Sequence, residues 1–145
     1  MKEQKTAVMI NSQYIKDLSM EIPHAPQIFN KLNANPPKID VEVNLEGQKL
    51  EDNFYNVIMN VTMHGNSDNE KVFILELSYG AVVSLNIPEE HREPVLMIEI
   101  PHMLYPFVRQ IIANTLTNAG LPPLMLNPID FLAMYNAKKN KGKEN

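Results

Sequence analysis

Four residues on two predicted strands could form a binding surface of defined charge. Asp17 and Glu21 stand four residues apart in one segment, and Ile74 and Glu76 stand two apart in another. Because side chains alternate between the two sides of a strand, each pair lies on one side. If the apolar sides meet in a core, both pairs lie on the outer face. That arrangement predicts an acidic patch suited to a basic, partly apolar partner, with an ordinary polar face as the alternative.

The chain contains residue types that are used in catalysis, but they do not have the spacing of a catalytic motif. The chain contains no cysteine, which excludes disulfides and thiolate metal sites, and its five glycines form no phosphate-binding loop. Neither HExxH nor GxSxG occurs. A charged link at 88–94 is better explained as solvated surface than as a metal site. The histidines are His24, His64, His91 and His102. We therefore expect a binding protein rather than an enzyme, without a cofactor or metal.

Net charge and hydropathy restrict the partners. The formal net charge is −4, and the last eight residues contain four lysines and one acid, so the remaining chain is more acidic still. Nucleic-acid phosphates need the opposite sign, so nucleic acid is not an expected partner. No segment approaches the roughly 20 apolar residues of a membrane helix, and the N-terminal apolar run is too short for a signal peptide. We expect a cytoplasmic protein without direct membrane insertion.

Four segments alternate apolar and polar residues as half-buried strands do: 8–22, 38–45, 54–64 and 71–79. Turns are predicted at Glu46–Gly47 and at 65–70, and Gly80 is predicted to end the last strand. Because the first segment exceeds the usual strand length, a bend or bulge is expected in it. Segment 81–87 could extend the last strand after a bend. The apolar side of the first segment comprises Val8, Ile10, Tyr14, Leu18, Met20 and Ile22.

Helices follow the strands. Between them, the proline-rich segment 23–37 predicts a long irregular crossover. Apolar residues at steps of three and four predict a helix from about Leu104 to Ala119, with Pro106 in its first turn and Gly120 at its end. A shorter helix is predicted from about Asp130, after the apolar loop 121–128, and 95–100 fits either strand or helix. This order predicts an α+β fold, with the helices on one face of an antiparallel sheet.

Three motifs together resemble the SecB family of protein-export chaperones. They are YIKDLSMEIPHAP from Tyr14, LYPFVR from Leu104 and PPLMLNPIDF from Pro122, and the resemblance runs collinearly over about 8–136. It implies a four-stranded antiparallel sheet with a long helix and a shorter C-terminal helix on one face. It also implies a homotetramer built as a dimer of dimers. We place a single SecB-like domain at 1–137 and a flexible lysine-rich tail at 138–145.

The resemblance also implies a function and its residues. Members hold unfolded precursor proteins without ATP and deliver them to the SecA motor. The motor-docking positions correspond to Asp17, Glu21, Ile74 and Glu76. The positions of the apolar client groove correspond to Phe29, Ile39, Val41, Leu124, Leu126, Phe131 and Tyr135. Family tails are often acidic or neutral, whereas this tail is lysine-rich. The alternative function is a small α+β domain that binds an apolar ligand.

Overall fold

The computed structural model describes residues 7–143, which form a four-stranded antiparallel sheet and two main helices. The strands are β1 (Val8–Glu21), β2 (Lys38–Glu51), β3 (Phe54–Ser67) and β4 (Glu70–Leu85). Their order in the sheet is β1-β4-β3-β2, so β1 and β2 are the edge strands. The helices are α1 (Ile100–Asn118) and α2 (Phe131–Lys143). The predicted fold of the protomer is confirmed.

Two glycines at predicted strand ends lie inside strands instead. Gly47 pairs with Val57 in the middle of the β2–β3 ladder, and β4 continues through Gly80 to Leu85. A Cβ at Gly47 would lie 2.8 Å from Met97 Cε, and a Cβ at Gly80 would lie 2.5 Å from Tyr14 Cζ. Glycine occurs at these positions because a neighbouring side chain occupies the space of a Cβ. The predicted turn at Glu46–Gly47 and the predicted strand end at Gly80 were wrong, whereas the alternative that segment 81–87 extends the strand holds as far as Leu85.

The hairpin turns lie where the backbone takes positive φ. Asn53, between β2 and β3, has φ 67°. Asp68 and Asn69, between β3 and β4, have φ 49° and 62°. Asparagine and aspartate tolerate this left-handed conformation better than other non-glycine residues, and two such residues in succession suit a two-residue hairpin turn. The turn predicted at 65–70 is therefore confirmed.

The expected irregularity in β1 is confirmed as two register shifts against β4. One lies between Ile10 and Ser12, and the other between Ile15 and Asp17. Between the shifts the strand parity is reversed, so Tyr14 pairs with Gly80 on the outer face. The second shift restores the parity of the following residues. The prediction that Tyr14 shares a face with the other apolar residues of β1 was wrong, because each shift moves the side chains to the opposite face.

The long helix has an earlier start than its apolar spacing predicted. A helical turn (Arg92–Pro94) and a π-helix (Val95–Glu99) lead directly into α1. The Ile100 amide donates to the Val95 carbonyl, and Pro101 has no amide with which to continue regular α-helical bonding. Segment 95–100 is thus helical. Pro106 lies inside the helix, so its predicted place in the first turn was wrong.

The core lies between the helices and one face of the sheet. Odd-numbered residues of β3 and β4, such as Met59 and Leu77, are fully buried there. From α1 come five buried residues at intervals of four: Ile100, Leu104, Val108, Ile112 and Leu116. The crossover adds Ile28, which is 1% exposed. The outer face of the sheet carries partly exposed polar residues and remains accessible in the described protomer.

The shorter helix follows a conventional cap. Asp130 Oδ1 accepts a hydrogen bond from the Ala133 amide at 3.0 Å, which satisfies one of the free donors at the start of α2. The helix continues to Lys143 and so includes most of the predicted tail. Residues 144–145 of that tail lie outside the described residues, and the flexibility of 138–145 stays a prediction.

Candidate functional site

The strand pairing brings the four predicted docking residues together on the outer face. Glu21 lies opposite Ile74 in the β1–β4 ladder. Glu76 is two positions further along β4, and Asp17 is four positions back along β1. Directly opposed residues are about 5 Å apart and diagonal ones about 7–8 Å. The three carboxylates are exposed and Ile74 is half-buried, so we call these four residues the acidic patch.

Two further carboxylates share this face of the sheet. Asp40 and Glu42 in β2 lie opposite His64 and Thr62 in β3. His64 and Thr62 in turn lie opposite Ile74 and Glu76, so the same rows cross all four strands. Alternation alone shows that Asp40 and Glu42 share a strand side. The order β1-β4-β3-β2, which the sequence did not provide, is needed to place them on the face of the acidic patch.

A packed polar layer supports the acidic patch. The Tyr14 hydroxyl donates to Asn56 Oδ1 at 2.7 Å, which links β1 to β3 across β4. The Ser78 hydroxyl donates to Asn60 Oδ1 and joins β4 to β3. The ring of Tyr14 rests on Gly80, and Gly80 pairs with Ile58, which is only 6% exposed although it belongs to the outer face. These contacts hold the strands that carry the patch in fixed register.

An apolar groove lies on the other side of the sheet, between β2 and the loop that precedes α2. Its volume is about 510 Å³. Four of the seven residues predicted for client binding meet in it: Ile39, Val41, Leu124 and Leu126. Val41 is 40% exposed and lies on an edge strand, so the groove opens beside unpaired backbone groups. The other residues that line the groove are Val43, Tyr105, Met125, Asn127, Pro128, Ile129 and Met134.

A smaller side pocket extends the groove along β2. It has a volume of about 290 Å³ and shares Val43 and Met134 with the groove. Tyr135, a fifth predicted client residue, lies here rather than in the groove itself. The remaining lining residues are Asn44, Leu45, Glu93, Met97, Lys138 and Lys139. The two cavities together form one apolar surface from Ile39 to Leu45.

The last two predicted client residues occupy different positions. Phe131 is 3% exposed and packs edge-on against Tyr105, with ring centroids 5.8 Å apart. It supports the wall of the groove from behind. Phe29 lies about 3.4 Å from where a Cβ at Gly120 would be and lines neither the groove nor the side pocket. A direct part for these two rings in client binding stays a prediction.

One hydrogen bond fixes the apolar loop of the groove to α1. The Tyr105 hydroxyl donates to the Asn127 carbonyl. Burial raises the pKa of the Tyr105 hydroxyl, and the nearby Arg109 guanidinium partly opposes that rise. Within the loop, Leu126 is buried whereas Met125 is 63% exposed. The loop is therefore anchored on one side and presents an apolar side chain to solvent on the other.

Several residues of this apolar surface were not predicted from the sequence as client-binding residues. Val43 continues the parity of Ile39 and Val41, so its strand pattern could have identified it. Met125 lies in the apolar loop predicted at 121–128, and Met134 lies in the shorter helix predicted from about Asp130. Met97 comes from the π-helix, and no periodic signal in the sequence marked that segment as part of a binding surface.

Between residues 7 and 143, no three His, Asp or Glu side chains lie close enough together to hold a metal ion. In the same part of the chain, no helix combines the length and apolarity needed to cross a membrane.

Comparison with known sequences gives a consistent match. The family model described as SecB, preprotein translocase subunit SecB, matches residues 1–142. A protein-export protein SecB from Paramagnetospirillum magneticum is 43% identical over 131 residues, which cover 90% of this chain and 84% of the relative. A protein-export protein SecB from Neisseria meningitidis serogroup A is 41% identical over 140 residues, covering 95% of this chain and 94% of the relative.

A solved structure also shares the fold. It is the SecB-like chaperone Rv1957 of Mycobacterium tuberculosis, in complex with a peptide from the HigA1 antitoxin. The TM-score is 0.71 at 15% sequence identity, and the match covers 85% of this chain and 91% of the other. At this identity the likeness supports the fold rather than a shared ligand.

Proposed function

Because this chain belongs to the SecB family of protein-export chaperones, we propose that it holds unfolded precursor proteins and delivers them to the SecA motor. Binding of these unfolded precursors requires no ATP. The observation that carries it is the continuous apolar surface formed by the groove and the side pocket beside edge strand β2. An unfolded chain exposes apolar side chains and unpaired backbone groups, and this surface can bind both.

Client binding in this groove combines two general forces. Apolar burial contributes roughly 25 cal/mol per Å² of surface removed from water, without regard to sequence. An extended client segment can also pair its backbone with the free edge of β2, as peptides do in β-strand addition. Neither force demands a particular side chain, so selectivity among clients is low. The affinity of one groove is modest because only a few hundred Å² of contact are available.

Delivery to the motor uses the acidic patch. Glu21 lies opposite Ile74, and Glu76 and Asp17 lie further along the same face, so this surface matches a basic segment that carries an apolar residue. The patch and the groove lie on opposite faces of the sheet. A motor segment bound at the patch therefore leaves the groove accessible to a client.

Assembly is a homotetramer built as a dimer of dimers. Four large apolar side chains are exposed on β1 and α1 of the single protomer: Ile15, Leu18, Met103 and Phe107. Large apolar side chains that a single protomer exposes on a strand and a helix are candidates for a subunit interface. Four grooves on one particle compensate for modest affinity at each groove, because several segments of one client can bind at once.

The remaining properties follow from this function. The SecB family is a chaperone family rather than an enzyme family. We propose that the chain has no catalytic activity, needs no cofactor or metal, and acts in the cytoplasm. Nucleic acid and direct membrane insertion have no part in this function.

A refolding assay tests the client function. The purified protein, without nucleotide, should suppress aggregation of a chemically unfolded secretory precursor at about one tetramer per client. Val41→Asp should weaken this effect because it places a charge in the apolar groove, while Leu50→Asp, a change at an equally exposed edge residue outside the groove, should not. No suppression by the wild type would refute the proposal. Binding of a discrete apolar small molecule, without affinity for unfolded chains, would favour the ligand-binding alternative.

A charge reversal tests the delivery function. Glu76→Lys should abolish binding to SecA, measured by calorimetry, while suppression of aggregation stays intact. Glu90→Lys makes the same charge change at an exposed position in the link after β4, away from the patch, and should leave SecA binding unchanged. Equal SecA affinity for the wild type and both variants would show that the patch is not the docking surface.

A further inference from the structure

The side pocket carries a feature that apolar client binding does not explain. Lys138 and Lys139, on the last turns of α2, line it together with one acid, Glu93. Lys139 Nζ lies 5.6 Å from the centre of the Tyr135 ring, and Tyr135 also lines the pocket. Two cations thus stand beside an apolar cavity in a chain whose formal net charge is −4.

These lysines have no anionic partner in the described protomer. For residues 7–141, whose side chains are described, the ion pair within 4 Å is Lys31 with Glu70, far from this pocket. Glu93 offsets part of the lysine charge at the pocket without forming such a pair. Both ammonium groups are exposed, so they can bind a carboxylate with little desolvation cost.

We propose that the side pocket selects client segments in which an acidic side chain follows an apolar run. This inference rests on the proposed client function and adds a preference that burial alone does not produce. The apolar residues occupy the groove and the floor of the side pocket, and the carboxylate pairs with Lys138 or Lys139. Strand residues advance about 3.3 Å each, so the six steps from Ile39 to Leu45 span roughly 20 Å. In a client segment that runs parallel to β2, from the groove to the side pocket, about six apolar residues therefore precede the acidic end.

Three end-blocked, fluorescein-labelled peptides test the preference. Each has the same six-residue apolar run, followed by Glu-Glu, Gln-Gln or Lys-Lys, and its Kd for the full chain is measured by fluorescence anisotropy. We expect the Glu-Glu peptide to bind about fivefold more tightly than the Gln-Gln peptide at low salt, and the Lys-Lys peptide to bind more weakly than both. The difference should shrink at about 0.5 M salt, where screening shortens the range of exposed charges.

Variants of the pocket residues test whether the preference for acidic segments arises in the side pocket. Lys138→Gln with Lys139→Gln should reduce the Glu-Glu advantage to less than twofold, since glutamine preserves helix propensity and removes both charges. Lys16→Gln with Lys71→Gln makes the same change in net charge on exposed strand positions and should retain the advantage. Glu93→Gln should increase the Glu-Glu advantage, because the variant removes a carboxylate that offsets the charge of the two lysines.

Two results would overturn the inference, and they differ in what else they refute. If all three peptides bind equally at low salt, or the Glu-Glu advantage survives Lys138→Gln with Lys139→Gln, the lysines do not select clients. The proposed function then stands. If no peptide binds, both the inference and the client function fail.

Discussion

Tyr105 has two roles in the groove. Its ring lines the cavity, and its hydroxyl donates a hydrogen bond to the adjacent loop. Tyr105→Phe keeps the ring and removes the bond to Asn127. We expect a loss of about 1 kcal/mol in the free energy of unfolding, the typical contribution of one such hydrogen bond, measured by urea denaturation. Tyr135→Phe is the control, because the described Tyr135 contact is made by its ring. Equal stability of the two variants would show that the bond does not anchor the loop.

The same hydroxyl predicts a pH dependence. Burial raises the pKa of the Tyr105 hydroxyl in the folded chain above the unfolded value of about 10. A raised folded pKa means that the stabilisation is complete below about pH 10 and is lost as pH increases through the folded pKa. Between about pH 9 and 11 the wild type should therefore lose more stability than Tyr105→Phe. Urea midpoints measured across that range check this, and parallel curves for the two proteins would contradict it.

Single residues also show where sequence reasoning was insufficient. Asp17, Glu21, Ile74 and Glu76 could be placed on one face because each pair lies in a single strand and alternation is local. Phe131 fits an apolar groove equally well by residue type, yet it is buried behind Tyr105. The difference between lining a cavity and supporting its wall depends on tertiary packing, which residue type alone does not encode.

At the level of elements, β1 is fixed to β4 by the contact between Tyr14 and Gly80. A Cβ at residue 80 would lie 2.5 Å from the Tyr14 ring, so Gly80→Ala should destabilise the fold by about 1–3 kcal/mol through overpacking. In a Tyr14→Ala background the same substitution should cost close to nothing. A double-mutant cycle based on urea denaturation measures this coupling. Additive effects would mean that the two residues do not share the space.

Alternation and helical spacing predicted the elements better than their ends. Four strands and two helices follow from local pattern, because burial of one side imposes a period on each segment. Gly47 and Gly80 predicted strand ends, since glycine permits the end of a strand and a close approach by a neighbouring side chain equally. The side chains of Met97 and Tyr14 approach Gly47 and Gly80 closely. Because Met97 and Tyr14 are distant in sequence from these glycines, local pattern could not show the close approach. The start of α1 was missed for a similar reason, because the π-helix before it has no regular period.

At the scale of the whole molecule, the exposed apolar side chains on α1 predict a dependence on assembly. Phe107 is 46% exposed in the single protomer, and Phe107→Asp should shift the protein from tetramer toward smaller species in sedimentation velocity. Leu50→Asp changes a residue of similar exposure, 47%, at the end of β2, and should remain tetrameric. Unchanged sedimentation of Phe107→Asp would place the subunit interface elsewhere.

The accessible outer face of the sheet affects the order in which client and motor can bind in the proposed delivery. Because the acidic patch and the groove lie on opposite faces, neither occupant blocks the other, and no rearrangement of the protomer is needed to accommodate both. Under the proposed function, one protomer can therefore hold a client segment in the groove and a motor segment at the acidic patch at the same time.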